Sequence, residues 1–170
     1  MCITPSLSVI VLTIGSQGST VRQLQRNLNA RFQDFGLMAS MSLTVDGVFG
    51  PKTLMAVKYL QCVGGFPVSG RVDEATWQFG ADGVLGLPEL SIGTRRTSVA
   101  AVQRSVLAAG IPITVDGYFG VKTSKAIAAY QQRLGLELTG TVDAATWEMV
   151  VRSRLTTLPC AALLPRRARR

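Results

Sequence analysis

Apolar residues recur at Val21, Leu24 and Leu28, and again at Val99, Val102 and Val106. Steps of three and four residues bring side chains onto one face of a helix, so each segment predicts a helix with a buried stripe. A second stripe runs through Ala56, Val57 and Leu60 and is matched by Ala126, Ile127 and Tyr130. Pro51 suits a first helical position, and Gly64 with Gly65, or Gly135, supplies the stop. A third segment opens at VDEATW and at VDAATW, where Asp73 and Asp143 are predicted N-caps, with Thr76 and Thr146 three residues later. Trp77 and Trp147 are then expected to point inward, because one Trp buries so much apolar area.

The pattern is written twice. TVDGVFGPKT (Thr44 to Thr53) and TVDGYFGVKT (Thr114 to Thr123) share eight of ten positions, and the offset of 70 residues carries Gly70, Val72, Asp73, Ala75, Thr76 and Trp77 onto their second copies. Upstream the offset is 78, where LTIG meets LSIG and Val21, Gln25 and Arg26 meet Val99, Gln103 and Arg104. Repeat 1 must therefore hold eight extra residues between Arg31 and Leu43. The expected units are 12–80 and 90–152, joined by a short Gly-rich linker around ADGVLGLPE, with 153–170 as a disordered basic tail. Units this small lie near the lower size limit for a domain that folds without a staple.

Asp46-Gly47 and Asp116-Gly117 combine a side chain that bonds its own following backbone with a residue that tolerates positive φ, a recipe for a tight reversal. Gly50 and Gly120 are expected to permit a second close approach. Phe49 and Phe119 are expected to plug the bundle and anchor the loop. A turn that merely connects helices satisfies the same residues.

The formal charge of +8 suggests nucleic acid until it is divided along the chain. It is +2 over 12–80, −2 over 81–89, +2 over 90–150 and +6 over 151–170, so the tail carries most of it. PRRARR reads most simply as a solubilising end, against contact with an anionic polymer or membrane. Cys2, Cys62 and Cys160 are odd in number and without paired spacing, and the chain has no His, so neither a disulfide framework nor a metal site is expected, and no cofactor. The apolar run from Leu7 to Ile14 is too short to span a bilayer. It lacks the basic start and the cleavage site of a signal peptide, so no export route is expected from it.

These residues resemble a known family, the peptidoglycan-binding domain of bacterial and phage cell-wall proteins. The ordered set is Leu24-Gln25, Asp46 to Thr53, Ala56-Val57, Gln61 and Asp73 to Trp77, then Gln103, Asp116 to Thr123, Ala126-Ile127, Tyr130-Gln131 and Asp143 to Trp147. Departures are Leu60 where an aromatic is usual, Val102 before Gln103, Arg96 in the place of Gly18, and the insertion. The resemblance implies an all-α protein of two tandem three-helix-bundle domains with a short linker and a basic C-terminal tail. It implies non-catalytic binding to peptidoglycan, with a separate cell-wall hydrolase as a further partner, in the cell wall or outside the cell. An intracellular or phage-released protein stays open.

The residues agree that catalytic chemistry is missing. No His can act as base, no Ser or Cys has a basic partner, and Asp46, Asp116, Asp73 and Asp143 are already used as turns and caps. Weak sites gain avidity when doubled on a repetitive polymer. The candidate ligand contacts are Asp46, Phe49, Thr53 and Gln61 in repeat 1 and Asp116, Tyr118, Phe119, Thr123, Tyr130 and Gln131 in repeat 2. Repeat 2, with Tyr130 where repeat 1 has Leu60, is expected to bind more strongly. Two other functions stay open: anionic-polymer or nucleic-acid binding through the Arg-rich tail, with nucleic acid the less favoured, and a protein-interaction module that kept the fold.

Overall fold

A computed structural model describes residues 11–155 and 160–164. Among them the regular structure is helical throughout. The first unit holds α1 (Ser19–Asp34), α2 (Met38–Met41), α3 (Pro51–Gly64) and α4 (Glu74–Asp82), and a 3-10 turn (Gly83–Gly86) leads out of it. The second holds α5 (Thr97–Ala108), α6 (Val121–Leu134) and α7 (Ala144–Leu155), followed by a 3-10 turn at Cys160–Leu163.

The sequence signals for these helices are met locally. Val21, Leu24 and Leu28, with Val99, Val102 and Val106, are fully buried, as are Val57, Leu60 and Ile127. Pro51 opens α3, and Gly65 and Gly135 close α3 and α6 in the left-handed conformation, where glycine has no Cβ to clash. Asp73 accepts the Thr76 amide at 2.9 Å and Asp143 accepts the Thr146 amide at 2.8 Å, each capping its helix. The chain leading into each unit is pinned in the same two places, Leu12 to Val72 and Gln17 to Val48, then Leu90 to Val142 and Arg95 to Tyr118.

The insertion becomes structure. It makes α1 16 residues long against 12 in α5, and adds the short α2. Phe32 and Met41 bury it against the unit, and the Asn29 side chain exchanges two hydrogen bonds with the Leu43 backbone to close it. Unit 1 therefore carries a fourth, short helix beside the expected three.

The cysteine expectation is corrected. Cys62 and Cys160 form a disulfide, with Cα atoms 5.5 Å apart although 98 residues separate them in sequence. Spacing along the chain could not show this, because it is the docking of the two units that brings the pair together. The tail expectation is corrected as well. Residues 153–155 complete α7 and Cys160–Leu163 form a turn against α3, while 156–159 and 165–170, including PRRARR, lie outside the described residues.

The same docking buries Arg154, which is 7% exposed. Its guanidinium donates to the Cys62 carbonyl at 2.6 Å and to the Val63 and Ala101 carbonyls at 3.1 and 3.3 Å. Two of these acceptors lie in the last turn of α3, where a cation suits the helix dipole; the Cys62 carbonyl also takes the Gly65 amide, while the guanidinium supplies the donor for Val63. Burial brings the Arg154 pKa down to about 10, which leaves it charged at neutral pH. Nearby, the Tyr59 hydroxyl donates to the Leu155 carbonyl at 2.8 Å.

The tryptophans differ. Trp147 is 1% exposed and its indole N–H donates to the Pro88 carbonyl at 2.8 Å, so the linker lids it. Trp77 packs on the core as expected of both, but is only partly buried. The position equivalent to Pro88 is residue 10, outside the described residues.

Candidate functional site

The Asp-Gly reversals form as the sequence requires. Gly47 and Gly117 have φ of +80° and +72°, and the Asp46 and Asp116 carboxylates accept the amides two residues on, at 2.8 and 2.9 Å. A buried glutamine then holds each turn from below. Gln25 donates to the Asp46 carboxylate at 2.8 Å and to the Val48 carbonyl at 3.1 Å, while its own oxygen accepts the Gly47 amide at 2.9 Å. Gln103 repeats this with Asp116, the Tyr118 carbonyl and the Gly117 amide at 2.9, 3.1 and 2.9 Å. Thr53 and Thr123 close each network from the first turn of α3 and α6.

These bonds stabilise the ionised carboxylate. The Gln25 side chain, then the Val48 amide, holds Asp46 below its ordinary value, and the Tyr118 amide, then Gln103, does the same to Asp116.

Gln61 and Gln131 hold a different loop, at the far end of α3 and α6. Gln61 donates to the Arg71 carbonyl at 2.7 Å and to Thr76 at 3.2 Å, and accepts the Gly70 amide at 2.9 Å. Gln131 makes the equivalent bonds to Thr141, Thr146 and Gly140 at 2.9 Å each.

The expected contacts thus separate into two groups. Phe49, Thr53, Gln61, Phe119, Thr123, Tyr130 and Gln131 are buried, and burial pushes the Tyr130 phenol up in pKa. Asp46 and Asp116 are exposed, and Tyr118 is partly so. Asp46 and Thr53 come together with Gln25 and Lys52 around a hollow of about 250 Å³, and Phe49 is buried in the core. In the second unit Asp116, Tyr118 and Thr123 gather around Gln103, and the Arg95 guanidinium stacks 4.4 Å over the Tyr118 ring. Gly50 and Gly120 lead into α3 and α6 with extended backbone; the close approach expected of both holds at Gly120, where a Cβ would lie 3.1 Å from the Tyr118 ring, and not at Gly50, where it would meet nothing.

Two features were missed in the sequence. Gln25 and Gln103 were visible as a repeated residue, but their part in the turn depends on partners 21 and 13 positions along the chain. Arg95 gave no signal, since repeat 1 has Gln17 in its place.

The turn, its glutamine and its buried Phe, formed twice, define the module. The family model described as "Putative peptidoglycan binding domain" matches residues 17–79 and 95–150. The chain belongs to this family. Its peptidoglycan-binding-domain units are also similar to an uncharacterized protein, YbfG, of Bacillus subtilis (strain 168), at 33% identity over 141 residues, covering 79% of this chain. The chain spans 18% of the length of that relative. No solved structure matches. Among the described residues no cluster of His, Cys, Asp and Glu could hold a metal ion, and no helix is long and apolar enough to cross a membrane.

Proposed function

We propose that the chain binds peptidoglycan without cleaving it, through two modules over 12–80 and 90–152. The observation that carries this is the double match to a peptidoglycan binding domain, once per repeat. The reading is supported by the use of the repeated acids. Asp46 and Asp116 hold turns and Asp73 and Asp143 cap helices, so none is free to move protons for a hydrolytic step. The polymer-facing side of each module is then the surface around its Asp-Gly turn, with Asp46 and Lys52 in one unit and Asp116, Tyr118 and Arg95 in the other. A greater affinity of the second module would come from Tyr118, where repeat 1 has Val48, and not from the buried Tyr130. A buried disulfide favours an oxidising compartment, in keeping with a place at the cell wall.

The test is sedimentation with purified sacculi. The protein should pellet with them and release no soluble muropeptides above a buffer control. Protein left in the supernatant at micromolar concentrations would overturn the reading, and released muropeptides would reveal a catalytic site.

A further inference from the structure

The docked units enclose a cleft of about 680 Å³. Its walls are Phe66 and α4 on one side and the start of α5 on the other, with the linker from Leu85 to Pro88 as its floor. The volume lies within the range of small-ligand sites.

The α5 wall presents hydrogen-bond donors and one cation to the cleft, whose lining also includes Asp73 and Asp82. α5 runs for 12 residues, and the residue before it, Arg96, makes no side-chain cap, unlike Asp73 at α4. Among the described residues no acceptor takes the Thr97 and Ser98 amides. Ser98 lines the cleft, is 2% exposed, and its hydroxyl makes no hydrogen bond within the described residues. The hydroxyl oxygen is open to the cleft, where a ligand can take it as a hydrogen-bond partner. Arg96 lies exposed beside these donors, and the ion pairs among the described residues, Arg31 with Asp34 and Arg152 with Glu148, do not include it.

The opposite wall complements this end. Asp82 is exposed, lines the same cleft and forms no ion pair with Arg96. The partly buried Phe66 ring and Leu85, which is 79% exposed, line the same cleft. Positive, apolar and negative groups therefore line one cavity.

We propose that this cleft binds the end of a short peptide. Its terminal carboxylate would accept from the Thr97 and Ser98 amides, the Ser98 hydroxyl and Arg96. An apolar side chain would lie against Phe66 and Leu85, and an amino group would face Asp82. Resting on the peptidoglycan reading, the occupant is the stem peptide of the wall polymer. The cleft needs both units, so each chain holds one peptide even though it carries two modules.

The experiment titrates the full oxidised chain with a synthetic stem peptide bearing a free C-terminal carboxylate, with the same peptide as its C-terminal amide, and with inorganic phosphate. Amide NMR and calorimetry are the readouts. The carboxylate peptide should bind one per chain and shift the Thr97 and Ser98 amides. The amide peptide should bind at least tenfold more weakly, and phosphate should compete only at far higher concentration. Arg96→Gln and Ser98→Ala should each weaken peptide binding tenfold or more with the fold intact by circular dichroism.

Equal binding of the two peptides, shifts confined to the Asp-Gly turns, or phosphate binding as tightly as the peptide would overturn the proposal. Sedimentation with sacculi, run in parallel, separates the two readings. Protein that pellets with sacculi yet takes no stem peptide in the cleft refutes the cleft and keeps the wall-binding reading, and protein that does neither refutes both.

Discussion

Gln25 shows how a single side chain can hold a loop without touching any ligand. It is 1% exposed and joins the carboxylate, an amide and a carbonyl of the Asp-Gly turn to α1. Truncating it strands the Gly47 amide and takes a donor from the Asp46 carboxylate, while the Val48 carbonyl keeps the Gly50 amide, so Gln25→Ala should lower stability by about 1–3 kcal/mol, read as the shift in a urea midpoint, and Gln103→Ala should do the same in the second unit. The turn also responds to acid. The folded-state pKa values of Asp46 and Asp116 are depressed, so the stability their charges contribute is present above the unfolded carboxylate range and is lost as pH falls through the folded values. Stability should accordingly be level above about pH 5 and fall below about pH 4, and the double variant Asp46→Asn with Asp116→Asn should fall less over that interval. Denaturation series between about pH 2 and pH 6 check this, and parallel curves for the two proteins would assign the acid loss elsewhere.

At the scale of elements, α3 and α6 come from nearly the same sequence but serve differently. Beyond the shared stripe, α3 also buries Tyr59, Cys62 and Val63, whereas the positions 70 residues later hold Ala129, Gln132 and Arg133. α3 is therefore covered by its own unit on one side and by α7 with the Cys160 turn on the other. Its closing glycine reflects this. A Cβ on Gly65 would lie 2.6 Å from the Ala101 Cβ of α5, while one on Gly135 would meet nothing. Both have positive φ, so Gly135→Ala should cost about 1 kcal/mol from the backbone alone, and Gly65→Ala distinctly more because α5 must also move. Thermal melts of the two variants make the comparison, and equal losses would mean that the contact with α5 yields freely. Removing the guanidinium that spans this junction leaves the Val63 carbonyl without a donor and the Cys62 carbonyl with the Gly65 amide alone, so Arg154→Ala should cost about 1–3 kcal/mol.

Taken whole, the molecule is two modules clamped into one body. The Cys62–Cys160 disulfide closes a long loop around the junction, and chain-entropy arguments allow a loop of about 100 residues roughly 4–5 kcal/mol of stabilisation. The oxidised protein should unfold in one cooperative transition. Cys62→Ala with Cys160→Ala should lower the midpoint and let the second unit, which has a smaller set of helices, melt ahead of the first. Denatured without reductant, the native chain should titrate a single thiol of its three cysteines. Three reactive thiols would show that the clamp does not form.

Much of this was legible because it is local or repeated. Apolar spacing at three and four residues is a property of one helix, caps and stops act within one turn, and an Asp-Gly reversal bonds itself, so helices, turns and the family could be read from neighbouring letters and from their second copy. The buried places of Phe49 and Phe119 followed from the same pattern. The disulfide, the Arg154 clamp, the lid over Trp147 and the cleft at Arg96 depend on residues tens of positions apart, whose meeting is set by how the units pack. Even the differences between the copies, Tyr59 for Ala129 and Cys62 for Gln132, acquire a meaning only once α7 lies across α3. Sequence determined the module, since one module's contacts are short in range. Tertiary structure decided how two modules become one surface, since that outcome belongs to faces no single repeat contains.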